Sequence, residues 1–310
     1  MSDVLVIGSL NMDFVMNVEK APLPGETILT NTYNLVPGGK GGNKAYALGK
    51  LGTSVAMLGA VGCDEMGKKL IANLKKVKVD TKKIVKLKNI NTGNAFITVD
   101  KTGENRIVVA SGANNKLTKE MIDKNINLIK AAKIIVMQLE IPLEVVTYAA
   151  KLAKSLGKIV ALDPAPAVNN LPLDLYKNID IIKPNETELQ TLCNSKINTE
   201  EDIVTLAKSL IEKGVKNVIV TLGEKGSILV NNDTVQKYNA INVEVVDTTA
   251  AGDSFTAGLV KSLVDGKDLN ESIKFGHIVS SLAVTKHGAQ SSIPSIEEIK
   301  KFIERVNING

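Results

Sequence analysis

Six continuously apolar runs recur along the chain: VLVIGSL (4–10), SVAMLGAV (54–61), KIIVMQL (133–139), KIVAL (158–162), IDII (179–182) and NVIVTL (217–222). Stretches with helical periodicity separate them. A strand that is apolar at every position, not at alternate ones, needs cover on both faces, which is the habit of parallel sheets flanked by helices. The intervening segments fit that role. Met66, Leu70, Leu74 and Val77 recur at helical spacing after Asp64, a candidate N-cap. Pro142 opens a second helix with Leu143, Val146, Ala150 and Ala153 on one face and Gly157 beyond its end. Ile203, Leu206, Leu210 and Ile211 form another apolar face, closed by Gly214. The alternation predicts an α/β fold with a mostly parallel, doubly wound sheet, an architecture that places ligands at the carboxyl ends of its strands.

Residues 12–36 and 91–112 break the rhythm. Both carry short β-like segments, with a hairpin expected at Lys101–Gly103, and they are expected to pair as a small sheet beside the main domain. No repeat, low-complexity tract or linker divides the 310 residues, so a single domain, 1–310, with a β appendage is expected.

Composition narrows the function. The formal charge of +5 is spread along the chain with no basic block and no RNA-binding aromatic motif, so nucleic acid is not an expected partner. Cys63 and Cys193 lie far apart without a CxxC, and His277 and His287 are not at metal-ligand spacing, which argues against a disulfide framework or a zinc site. MSDVLVIGSLNMD lacks a basic n-region, and no apolar run approaches the roughly 18 residues of a membrane span. A reduced, cytoplasmic protein is expected.

Two segments carry chemistry. In VVDTTAAGDSFTAG (245–258), Phe255, Leu259 and Leu263 mark a helix that begins near Gly252. Its first amides lack intrahelical partners, and Ala250, Ala251 and Gly252 offer no bulk to keep an anion away. Such an end also suits the charge that develops in phosphoryl transfer. Asp253 beside an anion site makes sense as a base for an attacking hydroxyl; the alternative is a helix cap. The second segment, VPGGKGGNKA (36–45), fits neither GxGxxG, which needs Gly at 44, nor a Walker loop, which needs Gly at 34 and Ser or Thr at 41. GCDEMGKK (62–69) imitates a P-loop, but Lys69 stands at the magnesium position and Asp64 and Glu65 would repel phosphate; a strand-to-helix turn is expected.

What GGKGGN offers is bare backbone flanked by Lys40 and Asn43, ahead of a helix marked by Ala45, Leu48 and Leu51. With Asn11 and Asp13 after the first strand and Glu140 after KIIVMQL, it suits a polyhydroxylated ligand, whose hydroxyls each need a donor and an acceptor. Turn and loop roles are the alternative for each of these residues alone. In KPNETEL (183–189), Asn185 and Glu188 suit either the waters of a magnesium ion near phosphates or a helix cap.

GSLNMD, PGGKGGNKA, MQLE, DPAPA, KPNETE, VTLGEKG, DTTAAGDSF and AVTKHGAQSSIP, in this order over nearly the whole chain, resemble the ribokinase-like (PfkB) carbohydrate kinases. The resemblance implies transfer of the ATP γ-phosphoryl group to the 5-hydroxyl of D-ribose without a P-loop. It implies sugar binding by Asn11, Asp13, Gly39, Lys40, Asn43 and Glu140, with Asp253 as base and Ala250, Ala251 and Gly252 as anion hole. Asn185 and Glu188 match the phosphate and Mg²⁺ motif, Glu188 through water. Thr221 and Gly223 match the nucleotide turn, and His277 lies in a segment resembling the adenine wall. Asp247 matches a ligand of an activating monovalent cation, normally K⁺, together with carbonyls of Thr249, Ala283, Lys286 and Gly288 and the Ser292 hydroxyl. The strands from 12–36 and 91–112 would form a lid that often pairs between subunits of a homodimer. Ala250 replaces a glycine common in relatives; this AAGD form is usual in the ribose-specific branch. Deoxyribose, another sugar or a nucleoside as acceptor, and a non-catalytic sugar or nucleotide sensor, are the competing readings.

Overall fold

Val4, Leu5, Val6 and Ile7 are all fully buried, and they divide by alternation between two cores. Leu5 and Ile7 pack with Val145, Val146, Leu189 and Leu210 from the helices Leu143–Ser155, Glu186–Cys193 and Glu200–Glu212. Val4 and Val6 pack with Leu48, Leu259 and Val279 from the helices Lys40–Lys50, Ala251–Val264 and Leu269–Ala283. The strand is apolar throughout because both of its faces are covered. The computed structural model describes residues 2–308.

The main sheet has eight strands in the order Val235–Tyr238, Ser227–Val230, Asn217–Thr221, Ile181–Ile182, Ile159–Asp163, Ile134–Gln138, Val4–Ile7 and Val55–Leu58. From Asn217–Thr221 to Val55–Leu58 every pairing is parallel; the two remaining strands add an antiparallel edge. Neither edge strand is among the six apolar runs: SILV is buried throughout but only four residues long, and VQKY, the outermost, is mostly exposed. The run 54–61 is two strands, not one: Val55–Leu58 stays in the main sheet, and after Gly59 the chain leaves to pair Ala60–Gly62 with Val85–Leu87.

The expected helices form at Glu65–Lys76, Leu143–Ser155 and Glu200–Glu212. Asp64 caps the first, accepting from the Gly67 amide at 2.8 Å. One boundary differs from expectation. Helix Lys40–Lys50 begins inside the glycine-rich segment: Gly38 ends a strand, Gly39 (φ 80°) is the N-cap, and Lys40–Asn43 is already the first helical turn, not a loop ahead of one. The two β-like stretches supply a four-stranded sheet, Asn34–Gly38, Asn11–Asn17, Gly93–Val99 and Asn105–Ala110, with the last two strands turning at Asp100–Glu104. No helix among the described residues is long and apolar enough to cross a membrane.

Candidate active site

The strand that follows Val4–Ile7 in its sheet joins on one side, and every later strand joins on the other. The crevice at such a reversal, outside the carboxyl ends of the strands, is where this architecture takes ligands. Ser9, Asn11 and Asp13 follow Val4–Ile7 there, and Glu140 follows Ile134–Gln138. Asp163 ends the next strand, Lys183 follows Ile181–Ile182, and Thr221 ends Asn217–Thr221.

At one end of the crevice polar side chains are held in fixed positions. Glu140 accepts from the Ser9 hydroxyl and, at 3.0 Å, from the Lys40 amide at the start of its helix. The Asn114 side chain donates to the side-chain oxygen Oδ1 of Asn11 at 2.7 Å and accepts from the Leu10 amide at 2.9 Å. Asp13 bends over Gly38, whose missing side chain leaves room for the carboxylate: a Cβ there would stand 2.2 Å from Oδ2.

Burial first, and the charge of Glu140 second, push the Asp13 carboxyl up from 3.8 to about 7. Folding therefore binds a proton at Asp13 between those values. The stability this group contributes is full below about pH 4 and is lost as the pH rises through about 7. Asp13→Asn, which cannot ionise, is expected to raise Tm relative to the native chain, with the gap widening from pH 5 to pH 8. Thermal melts across that range test this, and a pH-independent gap would contradict it.

Deeper in the crevice lies a cluster of charges. Lys44 is fully buried and pairs with Asp163 at 2.7 Å and with Asp253. Asn43, one residue earlier on the same helix, donates to the other Asp253 oxygen at 2.8 Å. Gln290 donates in turn to the side-chain oxygen Oδ1 of Asn43 at 3.1 Å. Lys183 approaches Asp163 at 3.7 Å. Burial opposes the Asp163 charge, but Lys183, Lys44 and Lys40 hold its carboxyl down at about 2. Burial likewise opposes the Lys44 ammonium, and the two carboxylates still raise it above the ordinary lysine value. For Lys40 burial is likewise outweighed and the ammonium is raised, with Asp253 and Asp163 as the main attracting charges. Asp253 is thus 6% exposed and committed to side chains of another helix. It does not cap its own helix: the N-cap is Ala250, in the left-handed region at φ 61°, and no side chain caps there.

That helix end remains available to a ligand. The Ala251 amide bonds to the Thr248 carbonyl at 3.1 Å and the Ser254 amide to that of Ala250 at 2.8 Å. The amides of Gly252 and Asp253 lie between them in the first turn, where a helix has no carbonyl to offer. Outside its own helix turn and chain neighbours, the one described atom within 4 Å of a Cβ at Gly252 would be the Lys183 ammonium, at 3.2 Å. Partial positive charge from the helix and a full charge from Lys183 thus meet over a residue with no side chain.

The remaining candidates fall into two groups. Asn185 and Glu188 form a reciprocal capping box on helix Glu186–Cys193, with bonds of 2.8 and 2.9 Å. Asn185 also bridges to Thr221, whose amide donates to Pro184 at 3.0 Å, and Gly223 follows in a tight turn at φ 58°. His277 meets Ser227 at 2.8 Å and Phe255 edge-on at 5.0 Å, and burial lowers it to about 4, so the ring is neutral at pH 7. With Tyr238, Asn239, Ile241 and Lys274 it lines a cavity of about 340 Å³; Thr221 and Gly223 do not line it. The second group gathers at Asp247, whose two oxygens accept from the amides of Thr249 and Gly288 at 2.8 Å each. Burial, the largest influence, raises this carboxyl, but the Thr249 hydroxyl first and then the Gly288 and Thr249 amides hold it below its usual value. Further along the chain, on either side of Gly288, the Ala283 carbonyl accepts from the Lys286 amide at 3.2 Å, and the Ser292 hydroxyl donates to the Ala289 carbonyl at 2.9 Å. Among the described residues no group of three or more His, Cys, Asp or Glu side chains could hold a metal ion.

Lys44, Asp163 and Lys183 were not singled out from sequence, nor were Ser9, Asn114 and Gln290. A usable signal exists for two of them: Asp163 and Lys183 are charged residues directly at the end of an apolar strand. Lys44 carries none, since a lysine near a helix start ordinarily reads as solvated.

Comparison with known proteins agrees with this geometry. The description "pfkB family carbohydrate kinase" matches residues 1–296. A ribokinase of Haemophilus influenzae is 40% identical over 299 residues, covering 96% of this chain and 97% of that protein. A deoxyribokinase of Salmonella typhi is 36% identical, covering 97% and 98% respectively. The structure of Arabidopsis thaliana ribokinase complexed with ribose and ATP superposes with a TM-score of 0.91 at 34% identity, covering 97% of this chain and 98% of that one. From the strand-end polar groups to the matched residues 1–296, these findings agree: the chain belongs to the pfkB family of carbohydrate kinases.

Proposed function

We propose that the protein transfers the γ-phosphoryl group of MgATP to the 5-hydroxyl of D-ribose, giving D-ribose 5-phosphate and ADP. The observation that carries this reading is the buried Asp253 carboxylate one residue after Gly252, where helix amides and the Lys183 ammonium converge. A proton acceptor and an anion site side by side are what an attack by a hydroxyl on a phosphoryl group requires.

In this reading Asn11, Asp13, Gly39, Lys40, Asn43 and Glu140 hold the sugar. Asp253 accepts the hydroxyl proton as the oxygen attacks, and the anion hole expected at Ala250, Ala251 and Gly252 receives, with Lys183, the charge that moves onto the phosphoryl oxygens. Since the Ala251 amide is spent on the Thr248 carbonyl, the donors there are the first-turn amides of Gly252 and Asp253. Asn185, Glu188, Thr221, Gly223 and His277 serve the nucleotide. Magnesium keeps most of its waters and takes few protein ligands. The Glu188 oxygen not spent on the Asn185 amide suits such a water-mediated contact. When bound, that ion neutralises charge on the phosphates.

Asp247, Thr249, Ala283, Lys286, Gly288 and Ser292 offer only oxygens, a donor set suited to a hard cation such as K⁺. An ion there would brace the turn that leads into Ala250 from behind. The four-stranded sheet serves as a lid on the single domain. On its strand Asn105–Ala110, Ile107, Val108 and Val109 are 52%, 69% and 49% exposed, and an apolar edge so open favours pairing with a second copy. The similarity to a deoxyribokinase makes 2-deoxyribose the second acceptor to consider.

ADP release with MgATP, comparing D-ribose, 2-deoxyribose, fructose and adenosine with and without K⁺, tests the reading. Ribose is expected to be preferred and K⁺ to raise its rate, in a species whose light-scattering mass is that of a dimer. Preference for another acceptor would move the substrate. Release of ADP with none of them would overturn the reading.

A further inference from the structure

We infer that Lys44 is a positioning residue for Asp253. It acts as the middle of a buried array of alternating charge that also sets Lys183. The inference rests on the kinase reading above and goes beyond it, because none of the expected sugar, nucleotide or cation contacts involves this lysine.

Lys44 is 0% exposed. Removing an ammonium from water costs several kcal/mol, so a lysine is kept in such a place only by strong partners. Asp163 alone, at 2.7 Å and at the end of a strand, would be such a partner. The second contact, to Oδ1 of Asp253, has a different consequence. Asn43 holds Oδ2 of the same carboxylate from the preceding residue of the same helical turn. Two donors one residue apart, each on its own oxygen, prevent the carboxylate from turning about its last bond. Each oxygen has about two acceptor directions, so one donor apiece still leaves room for a substrate hydroxyl.

The array continues beyond Lys44. Asp163 lies 3.7 Å from the Lys183 ammonium, which in turn stands over Gly252. Asp253, Lys44, Asp163 and Lys183 therefore run as alternating charges from the base to the cation beside the anion-facing helix end. The proton acceptor and the group that meets the phosphoryl oxygens are held at a fixed separation by one buried chain. Proximity of this kind is worth orders of magnitude in rate and little in ground-state affinity.

The test compares the native chain with Lys44→Met and Lys44→Gln, measuring kcat and KM for ribose together with ribose affinity by calorimetry. Lys44→Met is expected to lower kcat by about 10²-fold, with KM and ribose affinity within about threefold of the native values. Lys44→Gln keeps an N–H donor of similar reach and is expected to recover about tenfold of that loss. If Lys44→Met fails to fold because Asp163 is left unpaired, Lys44→Met/Asp163→Asn removes both charges. It is compared with Asp163→Asn alone, and the same fall in kcat is expected. A kcat per folded molecule within about threefold of the reference would overturn the inference. So would an equal loss in the Met and Gln variants. A native protein inactive on every acceptor overturns the kinase reading itself, whereas an active native protein indifferent to Lys44 overturns only this step.

Discussion

Replacing Asp253 by Asn is expected to lower kcat for sugar phosphorylation by about 10²–10⁴-fold, while sugar affinity stays near its native value. The substitution keeps the shape of the side chain but removes its capacity to take a proton, together with the negative charge that faces Lys44. The fold has little reason to object. Lys44 retains Asp163 at 2.7 Å, and Asn43 can still donate to the remaining side-chain oxygen at position 253. Coupled ADP release gives kcat, and calorimetric titration with ribose gives the affinity. The two results together separate a chemical role from a binding one. Turnover close to native would remove Asp253 from the chemistry.

The second large effect is expected at a residue with no side chain. Gly41 lies in the first turn of Lys40–Lys50, where the helix start presses on the chain leaving Val4–Ile7. A Cβ at this position would stand 2.6 Å from both the nitrogen and the carbonyl oxygen of Ser9. The same contact is held together by the Gly42 amide on the Ser9 carbonyl at 2.8 Å and the Gly41 amide on the Ser9 hydroxyl at 3.2 Å. Gly41→Ala must therefore push the helix away from the strand. Overpacking of this kind costs about 1–3 kcal/mol. Asn43 and Lys44 lie only two and three residues further on, so the displacement carries to Asp253. A misplacement of about 1 Å at a reacting group costs about 10²-fold. A lower Tm together with kcat/KM reduced by about that factor is the expected outcome, from thermal melts and steady-state kinetics. An alanine variant with native kinetics would show that this contact does not place the base.

Much of the site was legible because several of its residues stand where the apolar pattern stops. Asn11, Asp13 and Glu140 follow strands whose ends the sequence marks, and the helix after Gly252 announces itself by Phe255, Leu259 and Leu263. The reading of Asp253 as more than a cap agrees with its side-chain partners on the other helix. Other features were hidden for identifiable reasons. The exposed edge strand Val235–Tyr238 has no apolar face to betray it. The helical start at Lys40 was masked by four glycines, whose low helix propensity is overridden here by packing against Ser9.

From the order of its residues alone, this chain could be placed in a parallel α/β architecture with polar groups at the strand ends. Periodicity and strand termination are local properties, readable within a few residues. Tertiary structure alone decided that Lys44, Asp163, Lys183 and Asp253 share one buried cluster, because these residues come from four separate segments. Charge has no periodicity to show which lysine will be buried. Only the packing of the helix Lys40–Lys50 between the sheet and the helix Ala251–Val264 takes the Lys44 ammonium out of water and leaves two carboxylates as its partners.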